Sequence, residues 1–166
     1  MFEINPFPDP NFCCGRRPLC RRYVLVVFDE VLIRWRDQGE LREASVYWAF
    51  GWLADGDSEP LDAWLDPDPA GLVRELQARG VERIWRLTGT ASASLRQHLT
   101  PAFHISGAAH PVGATAVATA EGIRMKMERA IRRRGHFDSA AAGLEDVEQR
   151  LEREQRRLDR ARLAAW

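Results

Sequence analysis

The sequence predicts an α/β domain: a mixed five-stranded sheet, three antiparallel strands and then helix-connected strands, with a helical extension at the C-terminal end. Three observations predict it. Residues 22–65 hold three segments dense in β-branched and aromatic residues, separated by short polar turns. Residues 68–105 then alternate helical and strand-like stretches, and from residue 112 onward the pattern is helical alone. A hairpin meander pairs its strands antiparallel, while helix-connected strands can pair parallel, so the two together predict a mixed sheet. The organisation expected is an irregular leader over 1–21, a core over 22–111 and the extension over 112–166.

Residues 22–36 read as one long strand, because an unbroken run of β-branched and aromatic side chains fits a strand buried on both faces. Asp37-Gln38-Gly39-Glu40 is a turn, and residues 44–54 form the second strand with Val46, Trp48 and Phe50 on one face. Asp55-Gly56-Asp57 turns the chain into a short third strand over 60–65. Asp68 caps a helix that Pro69 opens, Leu72, Val73 and Leu76 line one side of it, and Gly80 stops it. Residues 81–87 are strand four, 94–99 a short helix ended before Pro101, and 102–105 strand five. One helix is expected over 112–134. Another begins at Asp138 or Ser139, and its positions 144, 147, 151, 154, 158, 161 and 165 make a weak heptad seam.

At 166 residues the chain suits one domain with a real core. Its formal net charge of zero excludes a global field that would steer it to nucleic acid or an anionic membrane. Charge is sorted locally, however. Asp55, Asp57, Glu59, Asp62, Asp66 and Asp68 form an acidic stretch, and Arg124, Lys126, Arg129, Arg132, Arg133 and Arg134 a basic one. No run reaches the roughly 18–20 apolar residues a membrane span needs, and the N-terminus lacks a signal-peptide layout, so a cytoplasmic protein is expected. Three cysteines, all within 13–20, fit a reducing compartment better than a disulfide framework.

Strand, strand, strand, helix, strand, helix, strand is the order of a ribonuclease-H-like core. Asp29 in the first strand and Leu76-Gln77-Ala78-Arg79-Gly80-Val81-Glu82-Arg83 at a helix-to-strand junction carry a closer likeness. With the Ala93–Leu99 helix and the Thr100-Pro101-Ala102-Phe103 corner, residues 23–105 resemble the catalytic core of Mutator-type bacterial insertion-sequence transposases. The resemblance implies a metal-dependent site on Asp29, completed by an Asp after the fourth strand and a third carboxylate beyond a helical insertion. Here the second position falls at Thr88-Gly89, neither a metal ligand, and the chain is expected to end before the third. Only His110 could answer to the family's Cys-and-His segment, and the family's N-terminal DNA-binding region is expected to be missing. Two Mg²⁺ ions need several converging oxygens, so the expectation is a degenerate, truncated version of that core.

The candidate residues follow from these readings. Asp29 is the remnant metal ligand; Glu30 beside it must face the other way, because side chains alternate along a strand. Cys13, Cys14, Cys20 and His110 are weak metal candidates, since adjacent cysteines cannot easily face one ion. Nearby arginines would lower a thiol pKa there. The basic stretch is the nucleic-acid candidate, because Arg129, Arg132 and Arg133 recur at helical spacing; the alternative is pairing with the acidic stretch. Trp35, Trp48, Trp52, Trp64 and Trp85 are expected in the core.

Three functions are therefore expected, in this order. First is a non-catalytic, transposase-derived protein that binds a partner, with DNA as the candidate, through the Arg-rich helix. Second is a protein–protein adaptor whose helix over 139–166 pairs with itself or with another chain. Third is a residual metal-dependent nuclease built on Asp29 with Asp55 or Glu128. The balance is against an enzyme, and no cofactor is expected unless a carboxylate cluster survives to hold Mg²⁺.

Overall fold

The computed structural model describes residues 17–107 and 110–165. Strands β1 (Arg22–Tyr23), β2 (Leu25–Asp37), β3 (Glu40–Trp52) and β4 (Ser58–Leu65) precede helix α1 (Pro69–Ala78). Then come β5 (Arg83–Ile84), β6 (Leu87–Thr88), α2 (Ala93–Ala102), α3 (Gly113–Arg134) and α4 (Ala140–Ala164). The main sheet has the order β4-β3-β2-β6, and β1 pairs with β5 beside it. It is mixed, as expected: β2, β3 and β4 are antiparallel, and β6 runs parallel to β2. No helix among the described residues is long and apolar enough to cross a membrane.

β2 and β3 pair along 13 residues, from Leu25 opposite Trp52 to Asp37 opposite Glu40. Gln38 and Gly39 join them at φ 50° and 81°. Two successive positive φ values suit a two-residue hairpin turn, whose twist matches that of the strands it joins. Along β2 the side chains alternate between two cores. Leu25, Val27, Val31 and Ile33 join Val46, Trp48 and Phe50 under α3 and α4. Val26 and Phe28 join Leu61, Trp64, Leu72, Leu76, Leu95 and Leu99 under α1 and α2. The apolar run in β2 thus has helices over both faces.

The helix ends follow the sequence closely. Asp68 accepts the amide of Gly71 at 2.9 Å, Ser139 accepts that of Ala142 at 3.0 Å, and Gly80 leaves α1 at φ 108°. Arg79, at the C-cap of α1, is 3% exposed. Its guanidinium donates to Asp62 Oδ2, to the Leu61 carbonyl and to the Arg17 carbonyl, each at 2.9 Å, with Glu75 at 3.7 Å. It therefore rivets α1 to strand β4. On the other face α4 buries Val147 and Leu151 against the sheet, each worth roughly 1.5–3 kcal/mol. Gly143 lets α4 approach β2 closely, since a Cβ there would lie 2.5 Å from Ile33 Cδ1. Near its far end Arg162 pairs with Asp57 and reaches the Asp55 carbonyl at 3.3 Å.

Several expectations are corrected. The strand expected over 22–36 breaks at Val24, so Arg22–Tyr23 leaves the main sheet to pair with Arg83–Ile84. The strand expected over 81–87 is two short pieces, β5 and β6. No fifth strand forms over 102–105, so the main sheet has four strands and not five. The helix expected to stop at Leu99 runs to Ala102 with Pro101 inside it, and His104 then turns at φ 52°. A proline in the last turn costs only one helical amide bond, and so does not end the helix. Residues 103–107 still run beside β5, through Ile84 N to the Phe103 carbonyl at 3.1 Å and Gly107 N to the Trp85 carbonyl at 2.9 Å.

Candidate functional site

Asp29 is 1% exposed, in the middle of β2 and opposite Trp48. The parallel pairing of β6 with Val26 and Val27 brings the next residues of that segment to it. Gly89, at φ 106°, passes directly over the Phe28 backbone, and Ala91 donates its amide to the Phe28 carbonyl at 3.1 Å. Thr90 is thereby held against the carboxylate. Its amide donates to Asp29 Oδ1 at 2.7 Å and its hydroxyl donates to the same oxygen. Oδ2 is buried without a hydrogen-bond partner among the described residues. The first and fourth expected strands do lie side by side, and Thr90 supplies donors that no motif announces.

Burial raises the Asp29 pKa above the ordinary Asp value, opposed by the Thr90 bonds and by the positive charge of Arg124. A raised folded-state pKa means the folded protein holds that proton more tightly than the unfolded chain. The group's contribution to stability is then full at low pH and falls as pH rises from the ordinary Asp value through the raised one. Asp29→Asn keeps an acceptor for Thr90 and removes the buried charge. It should raise stability at pH 7–8, read as a higher Tm than wild type. The gain should vanish near pH 3.5, and thermal unfolding that shows equal gains at both ends would refute the assignment.

The other carboxylates are distributed unevenly. Glu30 is exposed, and strand alternation turns it from the Asp29 side. Asp55 lies beyond Trp52, and Trp52 itself is four residues, roughly 13 Å, along β3 from the Asp29 partner Trp48. Helix α3, by contrast, brings Glu121 and Glu128 to this side. Both pair with Arg124, the first by a close hydrogen bond and the second at 3.7 Å. Glu121 itself is exposed and paired with Arg124, and its charge adds only a minor part to the burial that raises the Asp29 pKa. Arg124, Glu128 and Thr90 line one cavity of about 80 Å³ with Glu30, Val31, Trp48 and Met127. Among the described residues no three His, Cys, Asp or Glu side chains converge in a metal-binding group.

Of the weaker candidates, Cys13 and Cys14 lie outside the described residues, as does most of the expected leader. Cys20 is a free, half-buried thiol. Its pKa is raised, by burial first and by Glu59 next, with Arg17 only partly opposing, so the expected lowering by arginine does not hold for it. His110 precedes α3 and accepts the Val112 amide on Nδ1 at 3.3 Å. Trp48, Trp52 and Trp64 are buried as expected, while half-buried Trp85 carries the Arg83 guanidinium 4.2 Å from its ring.

The basic stretch divides in two. Arg124 is taken by Glu121 and Glu128, Lys126 reaches Glu154 of α4 at 3.4 Å, and Arg134 lies 5.3 Å from the Phe137 ring. Arg129, Arg132 and Arg133 are exposed and make no salt bridge among the described residues. The acidic stretch does not neutralise them. Its partners are Arg17 for Glu59, Arg79 for Asp62, Arg74 for Asp68 and Arg162 for Asp57. Arg132 also lines an open groove of about 370 Å³ between β2 and α3, shared with Arg34, Glu30 and Glu128.

The sequence model of a family described as "Transposase, Mutator family" matches residues 14–158. A probable transposase for insertion sequence element ISRM3-like, from Sinorhizobium fredii (strain NBRC 101917 / NGR234), is 37% identical over 73 residues. The transposase for insertion sequence element ISRM3 of Rhizobium meliloti (strain 1021) is likewise 37% identical over 73 residues. Each alignment covers 41% of this chain and 18% of the relative, so the chain spans less than a fifth of the curated relatives it matches.

Proposed function

Because the chain belongs to the Mutator family of transposases, we propose that it is a non-catalytic, ribonuclease-H-like core that binds DNA through the exposed arginines of α3. The observation that carries the reading is the division of the basic stretch. Arg129, Arg132 and Arg133 stay exposed and make no salt bridge among the described residues, while the acidic stretch is engaged elsewhere. Residues 129, 132 and 133 share one helical face, and three guanidinium groups there can follow a phosphate backbone without reading bases. The non-catalytic part rests on chemistry. Thr88 and Gly89 stand where the likeness asks for a second carboxylate, and neither offers an anionic oxygen to a divalent ion.

The adaptor reading is less well supported, because Val147 and Leu151 of the heptad seam are consumed in this chain's own core. The nuclease reading draws support only from Glu128, which lines one cavity with Thr90, and Mg²⁺- or Mn²⁺-dependent nicking that vanishes in Asp29→Ala would install it in place of the present one.

The test of binding is fluorescence anisotropy with a labelled duplex across a salt series. Each phosphate contact contributes about −0.9 to the slope of log K against log salt. Replacing Arg129, Arg132 and Arg133 together by Gln should flatten that slope by roughly 2–3 and weaken binding at least about tenfold near 0.1 M salt. An unchanged slope in the triple variant would end the phosphate-binding reading.

A further inference from the structure

The two segments that meet where β1 pairs with β5 bring arginine without carboxylate. Residues 10–28 and 83–120 contain no Asp or Glu. Some of their arginines are engaged: Arg17 pairs with Glu59, Arg21 reaches Glu82 at 3.7 Å, and Arg96 donates to the Gly89 and Ala91 carbonyls. Arg22, Arg83 and Arg86 are exposed and make no salt bridge among the described residues. The parallel register sets Arg22 directly beside Arg83, on strands that lie about 4.8 Å apart. Their chain neighbours Tyr23 and Ile84 are buried in the core under α1 and α2, so alternation turns both arginines to the opposite face, the one that carries α3. Leu87 packs against that same core, which turns Arg86 with them, roughly 10 Å further along the segment.

We propose that Arg22, Arg83 and Arg86 form a second phosphate-binding site for DNA, remote from the arginines of α3. Like charges held side by side repel, and no carboxylate relieves this pair, whereas a phosphate placed between two guanidinium groups accepts from both. Arg83 is ordered in advance, because its guanidinium carbon lies 4.2 Å from the Trp85 ring centroid, so it loses less freedom on meeting an anion. Three cations strung over about 10 Å suit a run of phosphates, which recur every 3.4 Å of axis along one DNA strand, better than one small anion. The distance to the other site follows from the sheet. Arg132 shares a groove with Arg34, Arg22 lies just before Leu25, and β2 runs from Leu25 to Arg34 in roughly 30 Å. That separation is near one turn of duplex, about 34 Å, so the two sites make separate contacts. The inference takes the identity of the partner from the DNA-binding reading but rests on different residues.

The test is an anisotropy salt series on the full chain with a labelled duplex of roughly 20 base pairs, long enough to span both sites. Replacing Arg22, Arg83 and Arg86 together by Gln should lower the slope of log K against log salt by about 2–3, and adding the α3 triple replacement should lower it by about 4–6 in all. Replacing the same three by Lys should keep the wild-type slope, because the slope counts charges and not the geometry of the fork. Should the Gln triple fail to fold, Arg86→Gln alone carries the test, with an expected loss of about 0.9. A wild-type slope in the folded Gln variant would overturn the inference, as would a Lys variant as flat as the Gln one, or a wild type that binds no duplex. A loss confined to the α3 variant removes this site alone, and a loss confined to the present variant removes the α3 reading alone.

Discussion

Gly89→Ala should destabilise the protein by roughly 3–5 kcal/mol, enough to remove a large part of the stability of a domain this size. Two costs add. The residue sits at φ 106°, a conformation an L side chain rarely adopts, worth about 1–3 kcal/mol. A Cβ there would also lie inside the van der Waals surface of the Phe28 carbonyl oxygen, 2.8 Å from its carbon and 3.1 Å from its nitrogen. Those are backbone atoms of the central strand, so no side chain can swing aside. Relief requires β6 to move away from β2, which withdraws Thr90 from Asp29. Urea unfolding followed by tryptophan fluorescence measures the cost, and a loss below about 1 kcal/mol would mean that the β6–β2 crossing is not as described.

Arg79→Met is expected to cost about 3–5 kcal/mol, the range for breaking a buried ion pair from one side. The guanidinium is the donor to two backbone carbonyls and to Asp62, on segments that are distant in sequence. Methionine keeps much of the apolar stem but leaves the Leu61 and Arg17 carbonyls and the Asp62 carboxylate without this donor. Lysine should recover only part of the loss, because a single ammonium cannot reproduce the fork that serves three acceptors. Equilibrium denaturation of both variants checks the order wild type, then Lys, then Met. A Met variant within about 1 kcal/mol of wild type would show that Arg79 only fills space.

What was legible in the sequence was the part set by local periodicity. Val46, Trp48 and Phe50 share a buried face because a strand alternates, and Asp68, Gly80 and Ser139 mark helix ends because capping is local chemistry. The mixed sheet was equally readable from the meander followed by helix-connected strands. Errors arose where backbone geometry is set by distant partners. The break at Val24 exists so that Tyr23 can pair with Ile84, sixty-one residues away, and nothing in residues 22–36 records that partner. Pro101 was read as a stop, though in a last turn it removes only one bond.

The candidate site shows the same division. Asp29 was recognisable as a carboxylate in an apolar strand, and Arg129, Arg132 and Arg133 as a helical stripe. Thr90 was not, because its hold on Asp29 is a contact across sixty-one residues, and neither was the pairing of Arg124 with Glu121 and Glu128. One signal was available: Glu121, Arg124 and Glu128 stand at i, i+3 and i+7, the spacing of an ion-pair ladder on one helical face.

The thirteen-residue pairing of β2 with β3 sets an order of events during folding. Its two halves are joined by Gln38 and Gly39 alone, so closing it is entropically cheap, and hairpins of this kind form within about 1–10 μs. Docking β6 onto the same strand must close a loop that ends 61 residues away at Thr90. Asp29 is therefore laid into a nascent ribbon while still hydrated, and its water is stripped only when the later segment arrives. The pocket around it should be the last region to acquire hydrogen-exchange protection and the first to lose it.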